Sequence, residues 1–284
     1  MQKICIVTDT TAQFPKYKDG WQELVKILPI NLGGDKVHQH LAEQIQSSIA
    51  DYAPNSYFLD GEEQHKLKTF LSGLAYEYQQ VFCLLPTKIL FPSFGMVTQI
   101  LDQMNLPSVF TIIDTRSLGF GLGWLIQTCA DFLSRGVNPG ELKRFLHHKI
   151  PHIYTLIYLP NLINLSRSNI LDPDQAFIGD YLGIHPLVLL ENDQIVPYQK
   201  ARNFKNVVDR VLEYAHEFTR IEYVGLHFGI SIGISDRKNL QNRFQIMLSQ
   251  NSLDTQVMSP YLNSVLGDQS ICVILIESDS RHEI

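Results

Sequence analysis

The sequence predicts an α/β protein of two domains, a doubly wound parallel sheet followed by an α/β domain with a mixed sheet. Three observations carry this prediction. At 284 residues the chain exceeds what one hydrophobic core usually organises. Its first half alternates short apolar runs, rich in β-branched residues, with segments of helical period. Its second half adds a hairpin signal, which an all-parallel sheet does not use. The boundary is expected near Pro151, giving domains 1–150 and 151–284.

Taken in order, Ile4–Val7, Val81–Leu85 and Val109–Ile113 are continuous apolar runs that end at polar or turn residues. Each reads as a parallel strand buried on both faces. Between them, Leu67, Phe70, Leu71 and Leu74 share one helical face. So do Leu122, Leu125, Ile126, Cys129, Phe132 and Leu133. Gly136 suits the C′ position that ends this second helix. Asn138 and Pro139 suit the N-cap and first position of the next, which carries Leu142, Phe145, Leu146 and Ile150 before Pro151. In the second half, Leu187–Leu190 and Ile195–Pro197 flank Asn192-Asp193, an antiparallel hairpin signal. A helix follows with Phe204, Val207, Val208, Val211, Leu212 and Ala215 on one side, then a strand at Tyr223–Phe228. Asp236 is the expected N-cap of a helix bearing Leu240, Phe244, Met247 and Leu248, and Ile271–Ile276 is the last strand.

Composition narrows the function. Apolar residues make up 45% and charged residues 18%, which is globular rather than disordered. A net charge of −6 argues against a nucleic-acid partner. The N-terminal apolar run is too short for a signal-peptide core, and no 18 apolar residues run together. A cytoplasmic protein without a membrane span is expected. Cys5, Cys83, Cys129 and Cys272 form no CxxC pair and fall in apolar runs, so they read as buried free thiols.

Chemistry is expected where strands end, because ligands of open α/β sheets bind beyond the carboxyl ends of strands. The first strand ends in TDTTAQF, with Thr8, Asp9, Thr10 and Thr11. The third ends in IIDTRSLGFGLG, with Asp114, Thr115 and Ser117. Hydroxyls and backbone N–H groups at such ends hold a carboxylate or phosphate. They also serve simply as helix caps, and both readings stand. Gly119, Gly121 and Gly123 lack the GxGxxG spacing and read as close packing. Asp9 sits where an aspartate nucleophile would, but Thr11 stands where the DxD pattern needs its second Asp. There is no GxSxG and no HExxH, and the adjacent His147 and His148 face different ways on a helix. His227 reads as a packed strand histidine. No catalytic residue, metal site or cofactor is expected.

At TDTTAQF the chain begins to resemble the DegV family, which opens with a strand and TDST-like residues. The resemblance continues in order. IIDTRSLGFGLG resembles the family's strand, Asp-Ser and small residues leading into a long helix. YLPNLINLSRSNI resembles its leucine-rich stretch and GGRI, placing Arg167 on that arginine. IHPLVLLENDQIVPYQKARNFKNV resembles its hairpin and following arginine, placing Arg202 there. The resemblance spans nearly the whole chain. It implies a two-domain fold that holds a long-chain fatty acid between the domains and presents it to a separate kinase, with no catalysis of its own and no cofactor besides the bound acid.

Three head-group motifs of the family are altered. NSYFLDGEEQ stands in place of TSQP, TKILFPSFG in place of LSGT, and VLGDQSICV in place of HTGPG. A buried carboxylate needs donors, so the expected ligand-binding residues are Thr10, Thr11, Thr87, Ser93, Asp114, Thr115, Arg167, Arg202 and Gln269. Asp268 would repel a carboxylate unless one of the two carried a proton. Two alternatives stand beside the carrier. One is a family member that lost its ligand and acts as an interaction or regulatory protein, its space filled by Leu90, Phe91 and Phe94. The other is a hydrolase or transferase using Asp9, Thr11 and Asp114.

Overall fold

Residues 3–15, 23–30, 61–104, 108–168, 170–248 and 252–278 are described by a computed structural model. Those through Ile150 belong to one compact unit and those from Pro151 to a second.

The first unit contains β1 (Ile4–Thr8), β2 (Val25–Ile27), α1 (Gly61–Glu77), β3 (Gln80–Leu85), α2 (Ser93–Met104), β4 (Phe110–Asp114), α3 (Gly119–Ser134) and α4 (Pro139–Lys149). The four strands pair in the order β2-β1-β3-β4, and every pairing is parallel. Cys5, Ile6, Val7 and all of Val81–Leu85 are buried, which explains why their sequence is continuously apolar rather than alternating. Leu67, Leu71 and Leu74 of α1 are buried, as are Leu122, Leu125, Ile126 and Cys129 of α3. Each such side chain contributes about 1.5–3 kcal/mol by leaving water.

The predicted helix junction forms as expected. Gly136 takes φ 84°, its N–H bonds Leu133 O at 3.0 Å, and Val137 N–H bonds Phe132 O at 3.1 Å. This is the Schellman arrangement, which satisfies carbonyls left over at a helix end. Asn138 then caps α4 reciprocally with Glu141, and Pro139 follows it.

The second unit contains β5 (Ile153–Tyr158), α5 (Ile163–Arg167), α6 (Pro173–Tyr181), β6 (His185–Glu191), β7 (Gln194–Ala201), α7 (Phe204–His216), β8 (Ile221–Phe228), α8 (Ile234–Leu248), β9 (Ser252–Val257), α9 (Pro260–Leu266) and β10 (Ile271–Glu277). Its sheet runs β7-β6-β5-β10-β8-β9. Among the described strands only β8 and β9 pair in parallel, so the sheet is mixed. The β6–β7 hairpin turns at Asn192 and Asp193, with φ 48° and 60°, as a two-residue turn of the I′ kind requires. Val207, Val208, Val211, Leu212 and Ala215 of α7 join Leu156, Leu226 and Val273 of the strands in one core.

One local expectation is corrected. Helix α8 begins at Ile234, so Asp236 lies inside its first turn rather than capping it. The loop before α8 is held instead by Arg237. Its guanidinium donates to the carbonyls of Ile232, Gly229 and Ile230 at 2.8, 3.2 and 2.9 Å. Because the donor is charged, these are charge-assisted hydrogen bonds, stronger than neutral ones.

All four cysteines are free and buried. Burial pushes the Cys5 thiol up to about 12 and the other three higher still, so they are protonated and inert. Among the described residues no helix is long and apolar enough to cross a membrane.

Candidate functional site

The parallel register brings the two Asp-Thr strand ends of the first unit to one level. Val7 pairs with Cys83, so Asp9 lies two steps on, level with Leu85. Leu85 pairs with Asp114. The two aspartates therefore flank the end of β3, one on each side.

Asp9 is fully buried. Its Oδ1 accepts the Thr11 N–H at 2.9 Å and the Thr11 hydroxyl at 2.5 Å. Its Oδ2 accepts the hydroxyl of Ser93, the first residue of α2. Loss of water pushes the Asp9 carboxyl above the usual carboxylate range, and the hydrogen bonds from Ser93 and Thr11 oppose that rise without cancelling it. Asp114 is different. Its Oδ1 accepts the Arg116 N–H at 2.8 Å, and Lys88 Nζ lies 3.9 Å from Oδ2. Arg116 takes φ 53° to make that turn.

Backbone bonds tie the strand ends together. Thr87 N–H bonds Ser117 O at 2.9 Å, and the Thr115 N–H and hydroxyl both bond Leu85 O, at 3.0 and 2.8 Å. The loop after β1 is strapped to the start of α3 by Gln13 N–H bonding Gly119 O at 3.1 Å. Gly123 makes this possible, because a Cβ there would lie 2.1 Å from the Gln13 carbonyl oxygen. The glycine-rich run thus seats the loop that carries Asp9 and Thr11. Two fully buried hydroxyls at these strand ends, Thr8 Oγ1 and Ser117 Oγ, have no hydrogen-bond partner among the described residues.

Of the residues expected from sequence, Thr11 and Ser93 meet at Asp9, and Thr87, Asp114 and Thr115 lie on the neighbouring strand ends. Thr10 is exposed. The other three belong to the second unit. Arg167 on α5 and Arg202 after β7 are both exposed. Gln269 is exposed too, and Asp268 beside it accepts the Ser231 hydroxyl at 2.5 Å. His227 is fully buried on β8. The segment standing in place of TSQP lies outside the described residues over 55–60. Leu90 and Phe91, in place of the family's Ser-Gly, are 1% and 2% exposed.

The sequence marks Asp9 as part of a polar strand end, a helix cap or a nucleophile, but does not reveal it as the common acceptor for Thr11 and Ser93. The 84 residues separating Ser93 from Asp9 leave no local signal for that contact. Two recesses lie elsewhere. One of about 780 Å³ is lined by Lys3, Tyr78, Leu133 and Asn138, and one of about 770 Å³ by Phe218, Arg220 and Met247. Neither touches the residues above. Among the described residues no group of His, Cys, Asp and Glu could hold a metal.

Comparison with known proteins agrees with this architecture. A fatty acid binding DegV family protein from Streptococcus agalactiae superposes with a TM-score of 0.78 at 19% identity, covering 98% of this chain and 100% of that one. DegV of Bacillus subtilis, described as a fatty acid binding protein, gives 0.73 at 16%, covering 98% and 100%. The fatty acid kinase B3 protein of Streptococcus pneumoniae, loaded with linoleic acid, gives 0.71 at 13%, covering 97% and 100%. In sequence, a DegV domain-containing protein of Staphylococcus aureus is 23% identical over 173 residues, 59% of this chain and 60% of the relative. The chain thus spans less than two thirds of that relative's length. The family model described as "Uncharacterised protein, DegV family" matches residues 3–278. On that match over nearly its whole length, this chain belongs to the DegV family.

Proposed function

We propose that the protein binds a long-chain acyl lipid and presents it to a partner such as a fatty acid kinase, without catalysing a reaction itself. The observation that carries the reading is family membership over nearly the full chain, together with structural neighbours described as fatty acid binding, one of them loaded with linoleic acid. The polar cluster Asp9, Thr11, Thr87, Ser93 and Thr115 is the candidate head-group end, since strand carboxyl ends are where ligands of this sheet type bind. Asp9 and Thr11 bond each other rather than flanking an open cleft, which argues against the hydrolase reading. Arg167 and Arg202 are exposed, which suits recognition of an acidic partner surface better than a buried ion pair.

The test is solvent extraction of protein purified under native conditions, followed by mass spectrometry. About one acyl chain per protein chain is expected, because a carrier site holds one ligand. Recovery of none overturns the reading. It would favour a second one, a family member that lost its ligand, which the buried Leu90 and Phe91 in place of Ser-Gly support.

A further inference from the structure

We propose that an acid head group binds beside the Asp9–Ser93 pair only together with one proton held by Asp9, whereas an uncharged head group binds with none. This rests on the acyl-ligand reading above and concerns the head group that reading admits.

The argument is a count of protons. A hydroxyl carries one. Ser93 gives its proton to Asp9 Oδ2, and Thr11 gives both its hydroxyl and its N–H to Asp9 Oδ1. While Asp9 is ionised, Ser93 therefore meets any second carboxylate with lone pairs alone. No cation offsets this among the described residues. On β2, Lys26 stands beside Val7, two positions short of Asp9. In the turn after β3, Lys88 lies against Asp114. The first turns of α2 and α3 carry no acidic residue, and their sequences SFGM and GFGL carry no basic one. At the end of β4 stand Asp114 and the exposed Arg116. Among the described residues, the influences on Asp9 are burial and its three hydrogen bonds.

Two carboxylates in one desolvated place do not both ionise. With a proton on Oδ2, Asp9 becomes the donor to Ser93 Oγ. Ser93 then turns its own proton outward to the ligand carboxylate. The proton comes from solvent and no covalent bond changes. Asp9 is on this account a positioning residue that acts through Ser93. An alcohol or ester head group brings no charge and makes no such demand.

The experiment titrates delipidated protein with heptadecanoic acid and, separately, heptadecanol, from about pH 6 to about pH 10, where the free acid is ionised throughout. Affinity for the acid should fall, approaching about tenfold per pH unit once Asp9 ionises, while affinity for the alcohol stays level. In Asp9→Asn the amide donates to Ser93 permanently, so the acid should bind without pH dependence. A level acid profile in the native protein overturns the proposal. So does an alcohol profile that falls in parallel, or a fall that survives in Asp9→Asn. If Asp9→Asn does not fold, the contrast between acid and alcohol in the native protein decides. Failure of both ligands to bind the native protein overturns the acyl-ligand reading itself.

Discussion

At the scale of single residues, burial sets the chemistry of Asp9 and His227, sealed at a strand end and inside a strand. Asp9 loses water and keeps only hydroxyl and amide donors, so its neutral form gains. His227 loses water on β8, which lowers its imidazole from 6.5 to about 3. The consequence for stability has a definite sign. A histidine that stays neutral in the fold but charges in the unfolded chain stabilises fully above about pH 6.5, and that stability is lost as pH falls from there toward about 3. The slope for one group is about 1.4 kcal/mol per pH unit. His227→Leu should therefore flatten the acid side of a plot of melting temperature against pH, while leaving the neutral side less affected. An acid limb of unchanged steepness would show that other groups set it.

At the scale of elements, close approach decides what the glycines are for. Gly123 lies on α3 with the Gln13 carbonyl oxygen 2.1 Å from where a Cβ would stand. The obstacle is backbone, which cannot swing aside as a flexible side chain would. Gly123→Ala should cost about 1–3 kcal/mol in urea unfolding, as overpacking does. It should also shift the loop that delivers Thr11 to Asp9, so that acyl retention falls along with stability. An alanine variant as stable as the native protein would remove the strap between this loop and α3 from the account. By contrast, Asn138→Ala removes only the cap of α4, and the expected loss is about 1 kcal/mol with no change in ligand content.

At the scale of the whole molecule, the family match covers both units, and each unit contributes a different kind of residue. To the proposed site the first offers buried hydroxyls, the buried Asp9 and the partly buried Asp114 at strand ends. The second supplies exposed arginines. Replacing Arg167 and Arg202 together by alanine should leave acyl content unchanged and weaken transfer to a partner kinase at least about tenfold, because charged rim residues govern encounter more than they govern packing. The readouts are extraction with mass spectrometry for the first and acyl phosphate formation with the kinase for the second. Loss of acyl content in the double variant would instead assign the arginines to the proposed ligand site.

The sequence alone determined those features whose cause is local. Continuous apolar runs announced the parallel strands, and β1 and β3 are buried as that reading requires. The run at Val109–Ile113, however, forms β4, which is only partly buried past Phe110 because it lies at the sheet edge. Gly136, Asn138-Pro139 and Asn192-Asp193 announced their turns, because backbone angle and capping are properties of a few adjacent residues. Strand β2 went unread because three residues ending in the half-exposed Ile27 carry no usable period. Strand β9, with the sequence SLDTQV on a sheet edge, was too polar to stand out. Tertiary structure alone decided the meeting of Ser93 with Asp9 and the seating of Gln13 on the α3 glycines. Both depend on where distant segments arrive once the sheet has formed, and no spacing along the chain encodes a contact made across the ends of paired strands.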